Sequence, residues 1–128
     1  MKFGYTLLYV ADVEKTVAFY ELAFGLKRRF VHESGYGELE TGPTTLGFVA
    51  HALASSNGVV YRVAGPQEPA PAAEIAFLTD DVAAAYTKAT KAGAVAMVAP
   101  KQKPWGQTVA YVRDFNGFLV ELCTPVTP

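Results

Sequence analysis

The sequence predicts an α+β fold: two βαβββ modules forming a cupped, mixed β-sheet with helices on its outer face. Three observations predict it. A strand, an aspartate, a valine-led helix and a closing glycine occur twice along the chain. Asp12-Val13 recurs as Asp81-Val82, 69 positions further on (82 against 13), the kind of internal repeat that decides a fold before any single motif does. Three short strands then follow each helix, which a ferredoxin-like arrangement does not explain. A single such module would leave one bare sheet face and two open edges in water. Two modules edge to edge give a longer curved sheet with a concave inner face, the usual place for a small ligand.

Taken in order, residues 3–10 are rich in Tyr, Leu and Val and read as a strand. Asp12 is placed to cap a helix, because its carboxylate can accept from the free amides of the first turn. Val13, Val17 and Tyr20 recur at helical spacing, with Phe24 near the end. Gly25 suits the left-handed position that closes a helix. Strands are expected over residues 27–33, 36–40 and 45–50, with Ser34-Gly35 and Gly42-Pro43 at the turns. Residues 52–73 are polar and rich in Gly and Pro. They read as a connector, with room for a short ordered piece at 59–63. The pattern then restarts: a strand over 74–79, a helix over 82–92 capped by Asp80 or Asp81 and ended by Gly93, and a strand over 94–98. A hairpin over 108–113 and 118–123 turns at Asp114-Phe115-Asn116-Gly117. The expected organisation is one domain over 1–128, with repeat one at about 1–51, the connector at 52–73 and repeat two at 74–125.

Composition bounds the function. The chain has 128 residues, 51% hydrophobic and 18% charged, which is globular rather than disordered. A net charge of −1 provides no field for nucleic acid or an anionic membrane, so neither is an expected partner. Lys27, Arg28 and Arg29 are the only tight basic cluster and read as a solvated strand start. One cysteine, Cys123, allows no intrachain disulfide and fits a reducing, cytoplasmic setting. The apolar stretch 3–11 is followed at once by Asp12, Glu14 and Lys15, unlike a signal peptide. No apolar run approaches the ~20 residues that span a bilayer.

Three stretches resemble the glyoxalase/bleomycin resistance protein/dioxygenase (vicinal oxygen chelate) superfamily. They are residues 8–13 with Phe19-Tyr20, residues 76–82, and Val112-Arg113-Asp114-Phe115-Asn116-Gly117-Phe118-Leu119-Val120-Glu121-Leu122. The last, a D-x-x-G turn running into a strand with a glutamate, is the most specific. Metal-using members place one ligand on the first and one on the last strand of each half. The resemblance maps these places to Tyr5 and Gly47, then to Glu74 and Glu121. The repeat supports matching Tyr5 to Glu74, since they too are 69 apart. A histidine or carboxylate would be expected where Tyr5 and Gly47 stand. Glycine has no side-chain donor, and neutral tyrosine is a poor ligand for the usual divalent ions. No metal ligand set and no cofactor is therefore expected, although Glu74 and Glu121 leave an open, incomplete place for a divalent metal.

Glu121 lies in an otherwise apolar strand, so it must be paired, solvated or protonated. A wet cavity or an arginine such as Arg62 or Arg113 would satisfy it, and an acid–base role would use it. Glu74 is its companion catalytic candidate, or an exposed strand start. His51 follows a strand, and alternation from Gly47 through Val49 would put it on the same face. It is a candidate ligand-binding residue beside Tyr5 and Gly47, or a plain loop residue; His32 is a weaker case. Trp105, the lone tryptophan, sits in Lys103-Pro104-Trp105-Gly106-Gln107. It either presents a flat apolar face to a ligand or covers the core beneath its loop. No Ser-His-Asp order, phosphate loop or dinucleotide fingerprint is visible. The expected function is small-molecule binding of the bleomycin-resistance type with an incomplete metal site, in a homodimer as the resemblance implies. The alternative is a metal-dependent lyase/isomerase or dioxygenase using Glu74 and Glu121.

Overall fold

The computed structural model describes all 128 residues, Met1–Pro128. In chain order they form β1 (Tyr5–Val10), α1 (Val13–Phe24), β2 (Lys27–His32), β3 (Tyr36–Glu40), β4 (Thr45–Ala50) and α2 (His51–Ser56). There follow β5 (Glu74–Leu78), α3 (Val82–Lys91), β6 (Val95–Gln102), β7 (Thr108–Arg113) and β8 (Leu119–Cys123). The chain divides into two units, Met1–Val63 and Ala64–Pro128. Each is a βαβββ module with its own four-stranded sheet, ordered β1-β4-β3-β2 in the first and β5-β8-β7-β6 in the second. β1 runs parallel to β4 and β5 to β8; the remaining pairs are antiparallel. The mixed α+β repeat is thus the one expected.

Both long helices start as their aspartates dictate. Asp12 Oδ1 accepts from Lys15 N at 2.9 Å, and Asp81 Oδ1 accepts from Ala84 N at 3.0 Å. Gly25 closes α1 at φ 68°, its N–H donating to Glu21 O. The apolar stripe of α1 is Val13, Val17, Tyr20 and Ala23, all at most 1% exposed, together with buried Thr16. These positions recur every three or four residues, as a core-facing helix requires. They pack on Leu39 and Phe48 of the first sheet, with the Tyr20 ring 4.9 Å from that of Phe48. Gly37 is needed for this approach. A Cβ there would come within 2.9 Å of Val13 Cγ1 and 3.0 Å of Val17 Cγ2. In the second unit, Val82 and Ala89 of α3 are the residues buried, over a sheet holding Val112, Val120 and Leu122.

Three elements differ from the sequence reading. The connector begins with a helix, α2, six residues long, too short to carry a readable period. β6 continues through Pro100 to Gln102. Proline is tolerated there because β6 is an edge strand, with nothing beyond it to accept a ladder bond. The reversal between β2 and β3 uses left-handed Glu33 (φ 48°) and Ser34 (φ 58°), with Gly35 N donating to His32 O. No helix is long and apolar enough to cross a membrane.

Candidate functional site

The first sheet turns one face to α1 and leaves the other open. Tyr5, Leu7 and Tyr9 alternate onto the open face of β1. A Cβ placed on Gly47 would meet Leu7 Cδ2 at 2.9 Å and Tyr36 Oη at 3.3 Å, which puts all three on one side. The space over Gly47 is therefore filled by Leu7 and Tyr36. Opposite Gly47 in the register stands Glu38 on β3. This carboxylate is 7% exposed. It accepts from Tyr36 Oη at 2.7 Å and pairs with Arg29 Nη1 at 3.4 Å. Arg29 also reaches Glu40 Oε2 through Nε (3.3 Å) and donates to Thr45 Oγ1 (3.3 Å). Burial, and after it the bond to Glu38, push the Tyr36 hydroxyl pKa up.

A β-bulge creates this array. Arg28 pairs with Leu39 and Phe30 with Glu38, so Arg29 is the extra residue. A bulge re-aims a side chain. Arg28 turns to the helix side, where it binds Glu14 and Glu21 of α1, while Arg29 turns to the open face. The solvated strand start expected of these arginines is instead two ion-pair sets on opposite faces.

In the second unit, Glu121 lies on the open face of β8, paired in register with Tyr111 and Ala76. Tyr111 Oη donates to Glu121 Oε1 at 3.4 Å. Neither arginine considered as its partner forms an ion pair with it. Arg113 donates through Nε and Nη2 to Gly117 O (2.9 and 2.7 Å) and through Nη2 to Gly65 O (3.1 Å), and Arg62 is exposed. The negative charge is felt nearby. Burial and then Glu121 raise the Glu74 carboxyl above its ordinary value. Burial, then Glu121 and Glu74, raise the Tyr111 hydroxyl and the Cys123 thiol.

Glu74 yields a pH prediction. A carboxyl whose folded pKa is raised costs stability as pH climbs from the ordinary value, 4.5, through the raised one. Replacing Glu74 by Gln is expected to remove that loss. Urea midpoints between pH 4 and pH 7 should then fall less steeply for the variant than for the parent. Parallel curves would contradict the assignment. Glu74 is exposed, so solvent screening keeps the effect small.

Trp105 stands in the loop between β6 and β7, closed by Gly106 N donating to Lys103 O and by Lys103 N donating to Gln107 O. Its side chain does not cover the core; the residue is 59% exposed. It is nevertheless held. Its Nε1 donates to Gln107 Oε1 at 2.9 Å, and Gln107 Nε2 donates to Thr124 O at 2.9 Å. His51 is not a strand residue continuing the alternation, because α2 starts with it. Its Nδ1 lies 2.7 Å from Tyr61 Oη, and the Tyr61 ring sits 4.7 Å from that of Tyr9. His32 is exposed.

Of the candidates, Tyr5 and Gly47 therefore share the first open face, and Glu74 and Glu121 interact within the second unit. Glu38, Arg29, Tyr36, Tyr61, Tyr111 and Gln107 had not been singled out. Glu38 becomes a candidate only through its register pairing with Gly47 on the neighbouring strand. A metal centre of the kind the resemblance implies does not fit the residues present. No three His, Cys, Asp or Glu side chains are grouped to hold an ion, Gly47 offers no donor, and the nearest carboxylate to it in register, Glu38, is tied to Arg29.

Comparison with known proteins agrees with this architecture. Residues 2–122 match the model of the Glyoxalase/Bleomycin resistance protein/Dioxygenase superfamily. No curated protein matches the sequence. Among solved structures, a glyoxalase-related enzyme from Fulvimarina pelagi aligns with a TM-score of 0.82 at 18% identity, over 98% of this chain and 88% of its own. A glyoxalase/bleomycin resistance protein/dioxygenase family enzyme from Burkholderia phytofirmans PsJN aligns with 0.80 at 20% identity, over 99% and 100%. TioX from Micromonospora sp. ML1 aligns with 0.71 at 22% identity, over 97% and 98%. At such identities these likenesses speak for the fold alone. With the family model spanning nearly the whole chain, this protein belongs to the glyoxalase/bleomycin resistance protein/dioxygenase superfamily.

Proposed function

We propose that the chain is a small-molecule-binding protein of the glyoxalase/bleomycin-resistance type, with an incomplete metal site. The observation that carries this reading is Trp105, more than half exposed and yet fixed through Gln107 to the end of β8. An exposed indole held in one orientation loses little freedom on meeting a ligand, which favours its use as an anchor. In the same unit, the carboxylate of Glu121, with no cationic side chain paired to it, supplies a polar contact; the first unit, taken by itself, offers the surface of Tyr5 and of the filled space over Gly47. Members of this superfamily bind small molecules and are often dimeric, and we take the working form to be a homodimer. Sedimentation at micromolar concentration is expected to return twice the chain mass; monomer alone would count against it.

Trp105 is the sole tryptophan, so intrinsic fluorescence reports directly on its surroundings. Titration with a panel of small molecules should reveal saturable changes for those that bind. A panel that changes melting temperature but never the indole emission would place the site elsewhere. The alternative is a metal-dependent lyase/isomerase or dioxygenase using Glu74 and Glu121, two carboxylates close enough that Glu121, after burial, raises the Glu74 carboxyl above its ordinary value. Metal analysis separates the two. We expect well below one zinc or nickel ion per chain after mild purification, and about one per chain would favour the enzyme.

A further inference from the structure

The connector is tied down by its backbone at two places. Gly58 N donates to Ser55 O, and Gly65 O accepts from Glu68 N and from Arg113 Nη2. Between them, residues 59–64 make no backbone hydrogen bond. Val59, Val60, Arg62 and Val63 are exposed, Val60 almost completely. Tyr61 is the one large side chain of this stretch that is half-buried. Its Oη lies 2.7 Å from His51 Nδ1, its ring stacks on the imidazole at 5.8 Å, and it sits 4.7 Å from the Tyr9 ring. We propose that residues 59–64 are a strap with a releasable latch, the Tyr61–His51 pair, which sets how much slack chain links the two units.

The receiving side of the latch is rigid. His51 directly follows β4, and Tyr9 belongs to β1 beside it. The far end of the strap is the firmer one. There Gly65 O is held by a guanidinium only 9% exposed and bonded also to Gly117 O, and a bond from a charged donor outlasts a neutral one. Tyr61 has a neutral hydroxyl bond and ring contacts, weak enough to open while the sheets stay folded. Closed, the latch leaves only Arg62-Val63-Ala64 free before Gly65, a reach of ~14 Å fully extended. Opened, it frees the chain from Gly58 onward, a reach of ~25 Å. One side chain thus switches the connector between a short tether and a long one.

Trypsin tests this on the whole chain. Arg62 is the sole Lys or Arg between Arg29 and Lys88, so a cut there leaves fragments 1–62 and 63–128, identified by mass. A protease must draw several residues into its cleft, so the rate at Arg62 follows the population of the lifted strap. Tyr61→Phe, which keeps the ring, should speed that cut ~3–10-fold, as for one lost hydrogen bond. Tyr61→Ala should speed it ~10–100-fold, since the ring contacts go too. His51→Ala should also speed it, and adding Tyr61→Phe to His51→Ala should bring no further rise from the hydroxyl, because one bond cannot be lost twice. Val60→Ala should change nothing. A parent cut at Arg62 as fast as Tyr61→Ala overturns the proposal, and so do effects of His51→Ala and Tyr61→Phe that multiply in full. An equal rise at Arg29, in β2 of the same unit, also overturns it, since Tyr61 would then hold the unit together rather than the strap.

Discussion

Replacing Gly117 by alanine is expected to destabilise the protein by about 3 kcal/mol or more, from two costs that add. Gly117 has φ 99°, where an L side chain is strained, a penalty of roughly 1–2 kcal/mol. Its Cβ would also lie 2.5 Å from Gly65 O and 2.7 Å from Gly65 C, with Arg113 Nη2 at 2.8 Å. Those are backbone atoms and a held guanidinium, so relief requires movement, and overpacking of this kind costs about 1–3 kcal/mol. The displaced contacts matter in themselves. Arg113 is 9% exposed, and its bonds run to the carbonyls of Gly117 and Gly65 rather than to a carboxylate. Pushing Gly65 away would leave a buried cation short of acceptors. Gly58→Ala is the control. Its φ is 82°, but nothing lies within 4 Å of the added atom, so only the conformational cost remains. Urea unfolding of both variants reads the difference; equal losses would show that the close approach of Gly65 carries no weight.

Trp105→Ala is expected to weaken ligand binding by ~1–3 kcal/mol, the range for an aromatic anchor. Stability should move by no more than about 0.5 kcal/mol, as for a surface site. The asymmetry follows from the exposure of the indole: little of it is buried in the fold, so little folding energy is lost with it. Gln107→Ala should have a smaller effect in the same direction, because it frees the indole without removing it. Calorimetric titration, with a compound that first passes the fluorescence screen, measures both. An unfolded Trp105 variant, or one with full affinity, would move the site away from this loop.

What could be read from the sequence was what is local. Asp12, Asp81 and Gly25 do what their chemistry dictates within one turn of the helix, whatever surrounds them. The repeat, and hence the order of strands, came from the same local signals occurring twice. The first-unit carboxylate could not be read this way. Looking only at Gly47, the unit lacks an acid. Glu38 occupies the register partner one strand over, and pairing between strands is not written in spacing along one of them. Arg29 was hidden for a related reason. Strict alternation sends neighbouring residues to opposite faces, and it loses count at a bulge. Of the two ways left open for satisfying Glu121, a wet cavity or an arginine, Arg113 does not supply the second: two residues along β7 from Tyr111, it finds its acceptors in the turn and the connector instead.

The irregularity of β6 has a consequence for solubility. Its register slips between Ala96 and Val98 and again between Val98 and Lys101. Val95, Met97 and Val98 are each about half exposed on an unpaired sheet edge. A straight strand of that composition would be a template for another copy to add to, the first step of fibrillar aggregation. β2, the corresponding edge of the first unit, begins with Lys27, Arg28 and Arg29 and so discourages such addition by charge. β6 lacks that charge at its start. It is guarded by its kinks and by Pro100, which has no N–H to offer, so at this edge shape rather than electrostatics opposes the addition of another copy.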